Sequence, residues 1–125
     1  MALICDKNMS FYKNGYEVVR NVISKDLLHH LKTEFQMMRD VHFLSTNVKD
    51  RFSFGDVQSP NSFSVYGASF FESLAINLND QMSEIVNLKL YSTYTYARIY
   101  YEGATLKPHK DRPSCEYSTT LCIDS

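Results

Sequence analysis

His109 and Asp111 place an imidazole and a carboxylate two residues apart, just past a tyrosine-rich run. Both groups are common ligands of transition-metal cations. In an extended segment, residues i and i+2 project to the same face, so the two side chains can converge on one cation. The spacing therefore predicts a metal site in which His109 and Asp111 supply two of the three ligands of a 2-His-1-carboxylate triad.

The other three histidines, His29, His30 and His42, all precede this pair. His29 and His30 lie on or beside a predicted amphipathic helix, where solvated or edge-packed histidines are commoner than ligands. His42 lies just beyond that helix and is no better a candidate. No histidine occurs in the 14 residues after Asp111. We therefore expect the third ligand to be missing from this chain.

The composition is that of one globular domain. The chain has 125 residues, of which 44% are hydrophobic and 22% charged, and this length is near the lower end for a complete eight-stranded jelly roll with flanking helices. A net charge of -1 without a basic block implies neither nucleic acid nor an anionic membrane as a partner. No apolar run approaches the ~20 residues that cross a bilayer.

Cys5, Cys115 and Cys122 form an odd set without a CxxC pair, and the N-terminus does not read as a secretory signal. These features predict a reducing, cytoplasmic setting. A zinc site that joins the two later cysteines to His109 fits no common zinc module, and buried structural thiols are the more frequent arrangement.

The first half of the chain alternates between strand-like and helix-like patterns. Gly15–Ile23 is rich in β-branched residues and predicts a strand whose valines and isoleucine are buried. Ser24 then predicts an N-cap for a helix from about Lys25 to Arg39. The apolar positions of this helix recur at helical spacing: Leu28, Leu31, Phe35 and Met38.

Residues 45–67 are rich in Ser, Asn, Gly and Asp and predict a loop with a short hairpin. The aromatic residues within it either pack the loop onto the domain or form a lid or substrate wall. Ser69 predicts the N-cap of a second helix, which ends near Asn87. Its apolar stripe is Phe71, Leu74, Leu78, Met82 and Ile85.

The last third of the chain has the character of a β structure. Leu90–Tyr101 is dominated by aromatic and β-branched residues in period two, which predicts a strand. Glu102–Ala104 predicts a turn, and the chain extends again from Leu106 to Asp111. Pro113 interrupts it, and Tyr117–Ile123 predicts another strand.

The run from Arg98 through Tyr-Tyr-Glu-Gly and Lys-Pro-His109-Lys-Asp111 to Asp124 resembles the 2-oxoglutarate- and Fe(II)-dependent dioxygenase superfamily, in its prolyl 4-hydroxylase-like branch. The resemblance covers about residues 90–125 well. The opening from Gly15 to Phe35 is similar to the N-terminal region of the same enzymes, whereas residues 40–67 match nothing in them.

The resemblance implies a fold that is α+β or mainly β, a partial double-stranded β-helix (jelly roll) with two flanking helices that is truncated before its last strands. Residues 1–125 would then form one partial domain. Residues 1–89 would be its helical N-terminal region, with a short strand and a loop, and residues 90–125 the first part of the jelly-roll core. We accordingly expect the chain to be the N-terminal portion of such an enzyme.

The same resemblance implies the site. His109 and Asp111 would bind Fe(II), and Tyr101 would contact the carboxylate of the co-substrate 2-oxoglutarate, with ascorbate as a reductant. Tyr101 is equally well explained as a core-facing aromatic of its strand. Residues that could line the pocket are Tyr96, Tyr100 and Arg98.

The chain also departs from the family pattern. Family members add a distal histidine and then a basic residue that pairs with the far carboxylate of the co-substrate, and neither position exists here. Arg98 and Arg112 are nearby bases but match neither position. The leading interpretation is therefore a hydroxylase domain that is incomplete and inactive as this chain.

Two other interpretations stay open. One is a non-catalytic or partner-completed β module that self-associates through an open sheet edge. The other is a plain structural domain in which His109 and Asp111 bond to neighbouring groups. The substrate, whether a small molecule or a peptide, is not identified by the sequence.

Overall fold

The structure is a computed structural model that describes residues 7–44 and 52–125. Within these residues it is an α+β fold with three helices and one three-stranded antiparallel sheet. The strand order is β1-β2-β3. In chain order the elements are α1 (Lys7–Asn14), α2 (Lys25–Leu44), β1 (Phe52–Phe54), β2 (Ser62–Tyr66), α3 (Ser69–Val86) and β3 (Tyr96–Tyr100).

Helix α2 begins where the sequence predicts. The hydroxyl oxygen of Ser24 accepts the backbone N–H of Leu27 at 3.2 Å, which satisfies one of the free N–H groups of the first turn. The helix continues to Leu44 rather than ending at Arg39, because neither glycine nor proline follows Arg39 to stop it. His42 therefore lies in α2 and not beyond it.

Helix α3 differs from the prediction at its first residue. Ser69 is the first helical residue, and the N-cap is Ala68, which makes no side-chain capping bond. The C-terminal end is as predicted: Asn87 is left-handed (φ 52°), and its N–H donates to the carbonyl of Glu84 at 3.2 Å. Asparagine tolerates this conformation, so it closes the helix as glycine often does.

The core lies between one face of the sheet and two helices. Phe63 and Val65 of the central strand β2 are buried against Leu31 and Phe35 of α2 and Phe71 of α3. The Phe35 ring centroid is 5.3 Å from that of Phe71 and 5.8 Å from that of Phe63. Both predicted helices therefore cover the same face of the sheet, and the hairpin aromatic Phe63 packs inside the domain rather than forming a lid.

The strand predicted over Gly15–Ile23 is wrong. Helix α1 ends at Asn14, and residues 15–24 have no regular structure. Gly15 has a φ of +76°, which turns the chain away from the helix. Val18 and Val19 are 65% and 39% exposed, and no described strand pairs with them. A β-prone composition did not suffice without a neighbouring strand.

The strand predicted over Tyr117–Ile123 is also wrong, and the predicted strand 90–101 is reduced to β3. Leu121 and Ile123 do pack against the core, and Cys122 between them is exposed. The segment thus keeps the period-two alternation without pairing to a described strand. A jelly roll is not confirmed, because the described residues form a smaller sheet.

No helix among residues 7–44 and 52–125 has the length and apolar character needed to cross a bilayer.

The turn after β1 depends on Gly55. Its φ is +78°, and an added Cβ would clash with the carbonyl oxygen of Pro60. We expect Gly55→Ala to lower the free energy of unfolding by about 3 kcal/mol, since both the backbone strain and the clash act. The matched control is Gly15→Ala, with a similar φ of +76° but no atom within 4 Å, which should cost about 1 kcal/mol. Equal losses in denaturant titrations would contradict the role of the clash.

Candidate metal centre

The segment that carries His109 and Asp111 has no regular secondary structure and is attached to the sheet at two points. Before the pair, the N–H of Lys107 donates to the carbonyl of Gln58 at 2.9 Å. After it, the guanidinium of Arg112 lies 5.0 Å from the Tyr94 ring centroid and 5.5 Å from that of Tyr66. These cation–π contacts and the backbone bond together fix the segment on both sides.

A backbone carbonyl beside the imidazole of His109 assigns the hydrogen of the ring. Its Nδ1 lies 2.8 Å from the carbonyl oxygen of Lys107. Because a carbonyl can only accept, Nδ1 carries the hydrogen and donates. When Nδ1 is the only ring nitrogen that carries a hydrogen, Nε2 presents a lone pair, which is the arrangement typical of metal-binding histidines.

The carboxylate of Asp111 is held in a similar way. The hydroxyl of Ser118 donates to Oδ2 at 2.6 Å, and Oδ1 lies 3.9 Å from Nε2 of His109. Two ligands at right angles, each about 2.1 Å from a cation, are about 3 Å apart. The two atoms therefore face each other, and closing the gap by about 1 Å would let them share a cation.

Neither side chain is enclosed, since His109 is 30% exposed and Asp111 44% exposed. Within the ranges 7–44 and 52–125, no group of three His, Cys, Asp or Glu residues is placed to hold a metal ion. His29 and His30 lie exposed on α2, and the His30 ring packs edge-on against Phe70 at 5.4 Å. The structure thus brings together the two predicted ligands and no third one among the described residues.

Tyr96, Arg98 and Tyr100 alternate along β3 on the face of the sheet opposite the core. Ser64 of β2 pairs with Arg98, and Ser62 pairs with Tyr100. Tyr101 has the other parity and packs against the core. The structure therefore groups the three predicted pocket residues on one face and directs Tyr101 to the other.

The centre of this polar face is an ion pair between Arg98 and Asp56. Nη2 of Arg98 lies 2.5 Å from Oδ2 of Asp56, and the two side chains are 7% and 23% exposed. The other carboxylate oxygen of Asp56 accepts the N–H of Gln58 at 2.9 Å and that of Ser59 at 2.7 Å. The hydroxyl of Tyr96 also donates to Oδ2 at 2.8 Å.

These contacts keep both charges in place. Burial raises the pKa of Asp56, but hydrogen bonds from Ser59 and Tyr96 and the charge of Arg98 outweigh it, so the pKa is lowered overall. Burial lowers the pKa of Arg98, but hydrogen bonds to Tyr96 and Tyr100 and nearby negative charge raise it overall. The pair is therefore ionised at neutral pH.

Cys115 lies beside the segment that carries the pair. A hydrogen bond to Cys115, followed by burial, raises the pKa of Tyr94, and the charge of Asp111 adds to the effect while Arg112 opposes it. Cys115 is half-buried and Cys122 is exposed, so the expectation of buried structural thiols is wrong for Cys122. Cys5 lies outside the described residues.

Several residues that support the site were missed at the level of sequence. Ser118 and the Lys107 carbonyl carried no signal of their own, because their role depends on how an irregular segment folds back. Asp56 follows Gly55 in a turn-like sequence, so its turn was detectable, but its pairing with Arg98 was not. The aromatic pair that stacks on Arg112 comes from separate elements, β2 and the run before β3.

Comparisons with protein-family models, with curated proteins and with solved structures find no match to this chain.

Proposed function

We propose that His109 and Asp111 are two of the iron ligands of a 2-oxoglutarate- and Fe(II)-dependent oxygenase, a hydroxylase, with a jelly-roll core. The observation that carries the proposal is the state of the four ligand-capable atoms. Nδ1 of His109 and Oδ2 of Asp111 are each bonded to a neighbouring protein group. Nε2 and Oδ1 are left to face each other at 3.9 Å.

The donor set fits Fe(II). An imidazole nitrogen and a carboxylate oxygen are two of the three ligands of a 2-His-1-carboxylate site. The other ring nitrogen of His109 and the other carboxylate oxygen of Asp111 are hydrogen-bonded to protein groups, as is usual for metal ligands. When bound, iron would couple the oxidative decarboxylation of 2-oxoglutarate to hydroxylation of a substrate C–H bond. Within this chain, Lys107 and Ser118 orient the two ligands, and the substrate is a small molecule or a peptide.

The co-substrate contact belongs on the polar face of the sheet. The resemblance to the dioxygenases assigns the carboxylate of 2-oxoglutarate to Tyr101, but its side chain packs against the core. The hydroxyl of Tyr96 on the polar face already donates to Asp56. Tyr100 lies on the same face and is 48% exposed, so its hydroxyl is the better candidate. Arg98 is already paired with Asp56 and serves the site as a support.

A second candidate function is a partner-completed β module of the same fold, without catalysis by this chain alone. Two observations favour it. The described residues supply no third ligand, and the outer edges of β1 and β3 pair with no described strand. An open edge is a site for strand addition, including self-association. Concentration-dependent sedimentation would distinguish this module, because a hydroxylase domain does not require self-association.

The proposal is tested with Co(II), which takes the place of Fe(II) and reports its ligands by visible absorption. We expect weak Co(II) binding and a spectral change on adding 2-oxoglutarate, since its carboxylate and keto oxygens add two ligands. Succinate, which lacks the keto oxygen, is the matched control and should leave the spectrum nearly unchanged. Absence of Co(II) binding, or a Co(II) spectrum indifferent to 2-oxoglutarate, would contradict the proposal.

The number of protein ligands also predicts the activity of the isolated chain. With Fe(II), 2-oxoglutarate and ascorbate, we expect no succinate release above the background of a His109→Ala variant. With two protein ligands and no matched base for its far carboxylate, a bound co-substrate is not oriented for decarboxylation. Succinate release that His109→Ala abolishes would show that a further ligand, such as His42, completes the site.

A further inference from the structure

We propose that Asp56 is a positioning residue for the candidate metal centre. It holds the loop between β1 and β2 against Arg98 and thereby fixes the tautomer of His109 through Gln58 and Lys107. The inference rests on the proposed metal-binding role of His109, but its structural part can be measured without metal.

The first link joins the loop to the sheet. Arg98 lies in the middle of β3, opposite Ser64 of the central strand, and its side chain is 7% exposed. Its Nη2 lies 2.5 Å from Asp56, whereas its buried Nε has no hydrogen-bond partner among the described residues. Asp56 is thus the main group that compensates a buried cation, so the loop is tied to a fixed point.

The second link runs within the loop. Oδ1 of Asp56 accepts the N–H groups of Gln58 and Ser59, and such a carboxylate-closed turn sets the direction of the next peptide groups. The carbonyl of Gln58 is one of these groups. It accepts the N–H of Lys107 at 2.9 Å, so the turn holds the segment that leads into the metal pair.

The third link reaches the ligand. Nδ1 of His109 donates to the carbonyl of Lys107 at 2.8 Å, and the residue between them is Pro108. Proline fixes its own φ and so removes one of the rotatable bonds between Lys107 and His109. The relay therefore runs from Arg98 through Asp56, Gln58 and Lys107 to the imidazole.

The relay decides which ring nitrogen is available. While the Lys107 carbonyl accepts from Nδ1, the lone pair of Nε2 is free for a cation. If the loop is released, the ring can carry its hydrogen on Nε2 instead. That hydrogen would then face Oδ1 of Asp111, which lies 3.9 Å from Nε2. In that tautomer Nε2 is a hydrogen-bond donor and has no lone pair with which to bind a cation.

The test uses the 125-residue chain, labelled with 15N and free of metal. Long-range 1H–15N spectra report the tautomer of each of its four histidines, and loss of one signal set in His109→Ala assigns His109. We expect the Nδ1–H form in the wild type and a shift toward Nε2–H in Asp56→Ala. Co(II) affinity should fall about tenfold, which is typical when an outer-shell partner is removed.

Two further variants make the result specific. Asp56→Asn keeps an acceptor for the two backbone N–H groups but loses the charge, so it should shift His109 in the same direction and by less. Asp40→Asn removes the same charge from a surface pair with Arg39, at 2.8 Å, and should change neither the tautomer nor the Co(II) affinity. Spectra are compared at a temperature where circular dichroism shows each variant folded.

The outcomes separate the two ideas. The wild-type chain could bind no Co(II) while its His109 tautomer still depends on Asp56. That result would contradict the proposed function and would support the relay. An unchanged tautomer in every folded Asp56 variant would overturn the relay. If Asp56→Ala does not fold, Asp56→Asn decides on its own, and an unshifted His109 in that variant overturns the inference.

Discussion

Replacing Phe63 by alanine should lower the free energy of unfolding by about 4 kcal/mol. The Phe63 side chain is fully buried at the centre of the sheet, and its ring lies within 6.1 Å of the ring centroids of Phe35, Phe52 and Phe54. Alanine would leave a cavity that three neighbours and a central strand cannot close. Since a domain of this size is stable by about 5–15 kcal/mol, urea titration should show a large fall in the unfolding midpoint.

Phe54→Ala is the matched control. Phe54 pairs directly with Phe63 across the strands, so the chemical change and the region are the same. Its side chain is 47% exposed, however, and its removal opens the surface rather than a cavity, so we expect a loss of roughly 1 kcal/mol. Comparable losses for both variants would show that the core is not centred on β2.

The two helices that cover the core were predictable because their signals are local. Apolar spacing indicated α2 and α3, Ser24 marked the start of α2, and Asn87 marked the end of α3. The aromatic hairpin around Phe63 was also indicated by its turn residues. The extension of α2 to Leu44 was not predicted. The predicted end at Arg39 was set by the last residue of the apolar stripe, although no residue that stops a helix follows Arg39.

The strands were less predictable because a strand depends on partners elsewhere in the chain. Gly15–Ile23 and Tyr117–Ile123 have β-prone compositions, yet neither pairs with a described strand. In the second segment the apolar residues still contact the core. Periodicity therefore identified which side chains face inward but not whether their backbones join a sheet.

The sequence indicated that the side chains of His109 and Asp111 lie close together, and it did not indicate the groups that hold them. His109 and Asp111 are close in sequence, so their shared direction followed from local geometry. The assignment of Tyr101 came from the resemblance to the dioxygenases. Strand parity did not test it at the level of sequence, because the turn at Gly103 separates β3 from His109. The relay through Asp56 joins residues far apart along the chain, and only the folded structure relates them.

His109→Ala should weaken Co(II) binding by at least about 100-fold, beyond the range typical of outer-shell residues. The variant removes one of the two ligand atoms that face each other at 3.9 Å, and a single carboxylate 44% exposed to water does not hold a divalent cation well. Isothermal titration and visible absorption, with each chain checked by circular dichroism, measure the loss.

The control replaces a histidine of equal chemistry in a different place. His29 is exposed on α2, so His29→Ala removes one imidazole without touching the segment of His109. Its Co(II) affinity should equal that of the wild type, because His29 contributes no ligand to the candidate metal centre. Nonspecific binding to surface imidazoles would instead weaken equally in both variants. If the two variants lose affinity to the same extent, or if His109→Ala loses none, the cation binds elsewhere. Selective loss in His109→Ala, together with a similar loss in Asp111→Asn, would place the cation between the two atoms whose neighbouring groups already leave them free to bind it.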